Sequence, residues 1–158
     1  MDAAIPSPAG ALALLEAWGP VAALRANSLA YPLLEFAHLL GLAATFGSVL
    51  VVDLRLLGMM RRLDPRALAS AVLPWTIAAF ALAAASGSAM FAMRAAEMVD
   101  NTAFIAKVAL LFAAGTNAAL LHARGALDPA SAATRLQAGL SIVAWMAVIF
   151  CGRWIAYF

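Results

Sequence analysis

The residues best suited to chemistry in this chain lie where the surrounding sequence is apolar. Glu35 and His38 stand one helical turn apart in YPLLEFAHLLG, residues 31–41. A lipid-facing segment has no use for either group. An imidazole can hold a metal ion or carry a proton, and a carboxylate one turn away can orient the ring or exchange a proton with it. Lys107, in FIAKVALL, and Arg153, in the terminal GRWIAYF, are cations set in equally apolar runs. A cation at the centre of a membrane helix costs at least about 2.5 kcal/mol on insertion scales, so each one implies a partner or a route to water.

The elements that must position these groups follow from composition. Of 158 residues, 66% are hydrophobic and 11% charged, which excludes an ordinary soluble domain. A spanning helix needs roughly 20 mainly apolar residues, and four windows provide them, at about 31–57, 67–93, 102–122 and 134–157. The expected fold is an all-α integral membrane four-helix bundle, a single transmembrane domain over 1–158. Ser7 and Pro8 read as an N-cap and first helical residue. They open a short helix over about 8–18 that Gly19–Pro20 ends and that lies on the membrane surface. MDAAIPSPAG lacks the basic start of a secretory signal, so the N-terminus is expected to be retained. The single cysteine, Cys151, cannot form an internal disulfide, and a net charge of +2 is too small to imply nucleic acid.

Orientation follows from the connections. Arg55, Arg61, Arg62 and Arg66 surround the first and Arg124 and Arg135 the third, whereas the second offers Arg94 against Glu97 and Asp100. The positive-inside rule puts the first and third connections in the cytoplasm and both termini in the periplasm of a bacterial inner membrane. Tyr31, Trp154, Tyr157 and Phe158 then fall at the outer interface, as an aromatic belt. Both cytoplasmic connections carry LDP, at 63–65 and 127–129, an aspartate cap followed by proline. Eleven positions before each aspartate stand Asp53 and Asn117, so the two hairpins read as remote copies. Asp53 and Arg55 are expected to pair or to reach the cytoplasmic surface, and His122 to be interfacial. Small-residue runs, AALAAASGSA and AAGTNAA, permit close helix packing, within one chain or in a homo-oligomer.

Counted by helical rise, Glu35, His38, Lys107 and Arg153 fall in one layer roughly 6–10 Å below the outer boundary. His38, Gly41, Thr45 and Ser48 share a stripe of helix 1, with Glu35 to its side, and Lys107, Leu111, Ala114 and Ala118 share a face of helix 3. With His38 neutral, this layer holds two cations against one anion. Lys107 and Arg153 can snorkel to headgroups, or the layer can hold an anionic ligand. Haem b fits the second reading: His38 as its metal ligand, Lys107 and Arg153 on its propionates, Glu35 orienting His38 or moving a proton. Copper is the alternative, with Met90, Met93 and Cys151 as soft ligands near His38. A cofactor-free structural subunit of a larger membrane complex is the third reading. No phosphate loop, zinc signature or nucleophile–base pairing is present, and catalytic residues remain unassigned.

YPLLEFAHLLGLA, VVDLRLLG, the LPW at 73–75, FIAKVALL and GRWIAYF together resemble a family of small bacterial inner-membrane proteins of unknown function. The resemblance implies a four-helix membrane architecture and no activity. AHLLG and AKVALL are also remotely similar to HemJ-type protoporphyrinogen oxidases, and the HLLG opening to copper-resistance D-type membrane domains. The HemJ likeness implies His38 as axial ligand of haem b and Lys107 as a functional base or propionate partner. Its further basic and aromatic residues have no counterpart here. The function expected from these readings is electron transfer or quinone-linked oxidation, with the bilayer and either a quinone or a redox protein as partners.

Overall fold

The computed structural model describes residues 8–123 and 127–157; the Ser7 cap, Arg124 and Phe158 lie outside these residues. The chain forms α1 (Pro8–Ala17), α2 (Gly19–Ala26), α3 (Ala30–Leu56), α4 (Pro65–Met93), α5 (Ala95–Asp100), α6 (Thr102–Ala123) and α7 (Ala132–Trp154), then a 3-10 turn over Ile155–Tyr157. No strand occurs among the described residues. α3, α4, α6 and Ala132–Tyr157 are each long and apolar enough to cross a membrane. Their outward faces carry large apolar side chains in the open, with Trp75 and Phe112 at 75% and 74% exposure. Water would not tolerate such a surface, and lipid requires it. The molecule is a multi-pass helical membrane protein preceded by short N-terminal helices.

Local chemistry explains most helix ends. Asp64 caps α4, accepting from the Ala67 N–H at 2.8 Å, with Pro65 in the first turn. The second LDP acts differently from the expectation. Asp128 accepts from the Ala130 N–H at 2.9 Å, and α7 starts only at Ala132, after a turn closed by Ser131 N–H on the Asp128 carbonyl at 3.1 Å. The same tripeptide is a helix cap in one hairpin and a turn in the other. α3 ends on Gly58, whose φ of +100° suits glycine. The Met59 N–H bonds the Leu54 carbonyl at 3.0 Å and the Gly58 N–H bonds the Arg55 carbonyl at 3.1 Å, a Schellman closure. Asn101 starts α6 by accepting from the Phe104 N–H at 3.0 Å, and its amide also donates to the Ile155 carbonyl at 3.1 Å.

The N-terminal segment is more folded than expected. Gly19–Pro20 ends α1 and also opens α2, with the proline in the first turn where its missing N–H costs nothing. Glu16 ties this pair down, accepting from Arg25 at 3.2 Å and from the Ala96 N–H of α5 at 2.9 Å. At the start of α5, Arg94 donates to Glu97 at 2.8 and 2.5 Å. Those hydrogen bonds raise the Arg94 guanidinium above the ordinary arginine range.

α3 and α4 pack most closely, at Gly41, where a Cβ would lie 2.7 Å from the Ala83 nitrogen and 2.8 Å from the Ala79 oxygen. In lipid, such backbone approach replaces the hydrophobic effect as the source of association. α6 and α7 form the second hairpin, joined by Asn117 Nδ2 donating to the Gln137 carbonyl at 3.0 Å. α3 packs on α7, and Leu56, Leu121 and Ala138 form a buried cluster at the loop end. Among the described residues no Cα of α6 comes within 8 Å of a Cα of α3 or α4. Side chains span that distance, with Phe91 and Phe104 stacked at 5.4 Å and Lys107 reaching His38.

Candidate functional site

His38 of α3 meets α4 and a lysine of α6, and α7 lies beside that lysine. The His38 Nδ1 lies 2.7 Å from the Ala83 carbonyl of α4. A carbonyl can only accept, so Nδ1 carries the proton and Nε2 presents a lone pair. Lys107 Nζ of α6 sits 3.3 Å from Nε2, placed to donate to it. Ser86 Oγ lies 3.5 Å from Nδ1, and the same hydroxyl donates to the Leu82 carbonyl at 2.6 Å. One glycine makes the space. A Cβ on Gly87 of α4 would meet the His38 ring at 2.8 Å, whereas one on Gly152 of α7 would lie in ordinary contact, 3.4 Å from Lys107 Nζ. Cys151, half-buried, precedes Gly152 on α7. The result is a half-buried imidazole with both nitrogens engaged and a lysine laid across the bundle to reach it.

The other two residues expected in this layer do not join the pair. Glu35 is exposed on α3 and makes no hydrogen bond or ion pair among the described residues. Arg153 is also exposed, and its guanidinium donates to Tyr157 Oη at 3.3 Å and lies 5.5 Å from the centre of that ring. Lys107 is thus the cation of this layer that turns into the bundle, with His38 as its acceptor. Of the soft side chains, Met93 is buried and Cys151 half-buried. No group of three His, Cys, Asp or Glu side chains converges among the described residues. His122 is exposed near the opposite end of α6, its Nδ1 2.9 Å from the Ala118 carbonyl.

The structure also corrects the reading of Asp53 and Arg55. They form no ion pair. Asp53 is 4% exposed, has Ser141 of α7 as polar neighbour, and leaves its Oδ2 without a hydrogen-bond partner. Arg55 is 8% exposed, and its Nε donates to the Leu63 carbonyl at 2.5 Å. Two residues apart on a helix, they point about 200° away from each other and cannot meet.

A four-span helical membrane protein with a His–Lys pair between its helices is the class that fold and site define. The chain belongs to a family of unknown function, DUF6644, whose model matches residues 29–158. The match begins just before α3 and takes in all four spans, whereas α1 and α2 precede it. No curated protein and no solved structure matches the chain.

Proposed function

We propose that the His38–Lys107 pair is an intramembrane site for a redox group, haem b foremost, and that the protein serves electron transfer or quinone-linked oxidation in a bacterial inner membrane, its site on the periplasmic side. One observation carries this reading: the Ala83 carbonyl fixes the Nδ1 proton of His38, leaving Nε2 as the lone pair. That second-shell bond is the arrangement that orients a histidine for ligation. Haem b would supply one-electron chemistry there. The chain's own residues would do the rest. Ala83 and Gly87 hold the ring in place, and Lys107, on a flexible four-carbon stem, turns from Nε2 to meet a carboxylate. The pairing of a histidine on the first span with a lysine on the third also resembles the HemJ-type pattern, which supports the choice of haem.

Copper has less support, because it needs two or three protein ligands where haem needs one. A cofactor-free structural subunit is favoured by a different observation, namely that Lys107 already closes Nε2 at 3.3 Å. Absorption spectra of the detergent-purified protein from haem-replete cells, oxidised and dithionite-reduced, separate these readings. The expected result is a Soret band that shifts on reduction and is absent from His38→Ala. A colourless wild-type protein would overturn the haem assignment. Copper analysis of the same sample then decides between the other two.

A further inference from the structure

At the opposite end of the bundle a cavity of about 330 Å³ opens between the α3–α4 and α6–α7 connections. Three arginines from three places in the chain line it: Arg55 in the last turn of α3, Arg61 in the following connection and Arg135 in the first turn of α7. Each is steadied by one carbonyl. Arg55 Nε donates to Leu63 at 2.5 Å, Arg61 Nε to Gly58 at 3.1 Å and an Arg135 Nη to Leu57 at 3.5 Å. A guanidinium has five N–H donors, and no other partner for these three occurs among the described residues. Among the described residues no ion pair involves any of them; Arg25–Glu16 and Arg94–Glu97 pair elsewhere. The described carboxylates nearby form no ion pair with them. Asp53 turns towards α7, while Asp64 and Asp128 accept from backbone N–H groups.

A role in membrane topology alone does not account for this arrangement. Arginines that only bias orientation need charge and no geometry, yet Arg55 is 8% exposed and anchored. Three guanidinium groups sharing one cavity repel each other unless something negative lies between them. The Schellman closure at Gly58 leaves the carbonyls of Leu57 and Gly58 directed at two of the three, so the connection itself is shaped to hold them.

We propose that this cavity binds a phosphate-bearing anion, with forked N–H donors on its oxygens. Its place at the ends of two spanning helices, and a volume at the low end of ligand pockets, suit a phospholipid headgroup. Free phosphate shares the same chemistry.

The test uses the full-length protein in detergent and in nanodiscs. Lipid adducts are read by native mass spectrometry after exchange into mixed phosphatidylglycerol and phosphatidylcholine, and thermal midpoints are read against inorganic phosphate with chloride at equal ionic strength. Arg61→Gln and Arg135→Gln are exposed positions that leave Arg55 in place, and the double variant is expected to retain phosphatidylglycerol about tenfold less. Arg62→Gln, a neighbour that does not line the cavity, is expected to retain it as wild type does. Retention of phosphatidylglycerol without a phosphate effect identifies the headgroup as the source. A phosphate-specific midpoint shift, lost in the double variant and without preference for phosphatidylglycerol, identifies free phosphate. Absence of both effects, or an equal loss in Arg62→Gln, overturns the proposal.

Discussion

His38 and Asp53 lie on the same helix, fifteen residues and roughly 22 Å apart, and they treat burial in opposite ways. His38 is half-buried with both ring nitrogens engaged, by Ala83 of α4 and Lys107 of α6. Asp53 is more deeply buried, against α7, and one of its carboxylate oxygens has no partner. A buried polar group without a hydrogen bond costs about 1–3 kcal/mol. The bundle therefore invests its interhelical geometry at the histidine end and tolerates a deficit at the other. A small residue marks the difference: Gly87 opens space for the His38 ring, whereas Asp53 stands one turn before Leu56 of the packed Leu56, Leu121 and Ala138 cluster.

The sharpest way to break this contrast is at Gly41, which holds α3 against α4 between the two positions. Gly41→Leu drives a side chain into the Ala79 and Ala83 backbone and is expected to cost about 3 kcal/mol or prevent folding. Thermal unfolding in detergent measures it, and a wild-type midpoint would mean that the two helices pack less closely than described. His38→Ala is expected next. It removes two hydrogen bonds and leaves Lys107 without an acceptor, about 2 kcal/mol together. In a cycle with Lys107→Met the two losses should fall short of additive by about 1 kcal/mol; full additivity would show that the 3.3 Å approach carries no energy. Asp53→Leu has the opposite sign and should stabilise by about 1 kcal/mol, because an apolar side chain replaces an unsatisfied oxygen. A fall in midpoint would mean that the Ser141 contact outweighs the unsatisfied Oδ2. The smallest effects belong to Glu35→Ala and Arg153→Ala, each within about 0.5 kcal/mol and with no change in the spectrum of the site.

Helical rise and composition made the four spanning helices legible, and depth alone brought His38 and Lys107 to a common level. Depth does not say which way a side chain faces, which is why Arg153, near the same level, points away to Tyr157. The sequence leads one to expect Asp53 paired with Arg55 or at the cytoplasmic surface, and the structure buries it unpaired with Arg55. The contrary signal was the apolar Leu56 one turn later on the same face, which the structure shows to be fully buried. The two LDP motifs illustrate another limit. PRALA after the first continues directly as helix, whereas PASAA after the second places Ser131 where a turn can close before α7 begins. α2 was missed because Gly–Pro was read only as a stop. The order of helices around the bundle has no local sequence signature at all.

That order has a further result. Because only side chains bridge from α6 to α3 and α4, the flank between α4 and α6 is a seam laced from within by the His–Lys pair and the Phe91–Phe104 stack. Whatever draws Lys107 away from His38 also undoes a stitch in that seam. The reach of one lysine and the hold of α6 on the α3–α4 hairpin are then one variable.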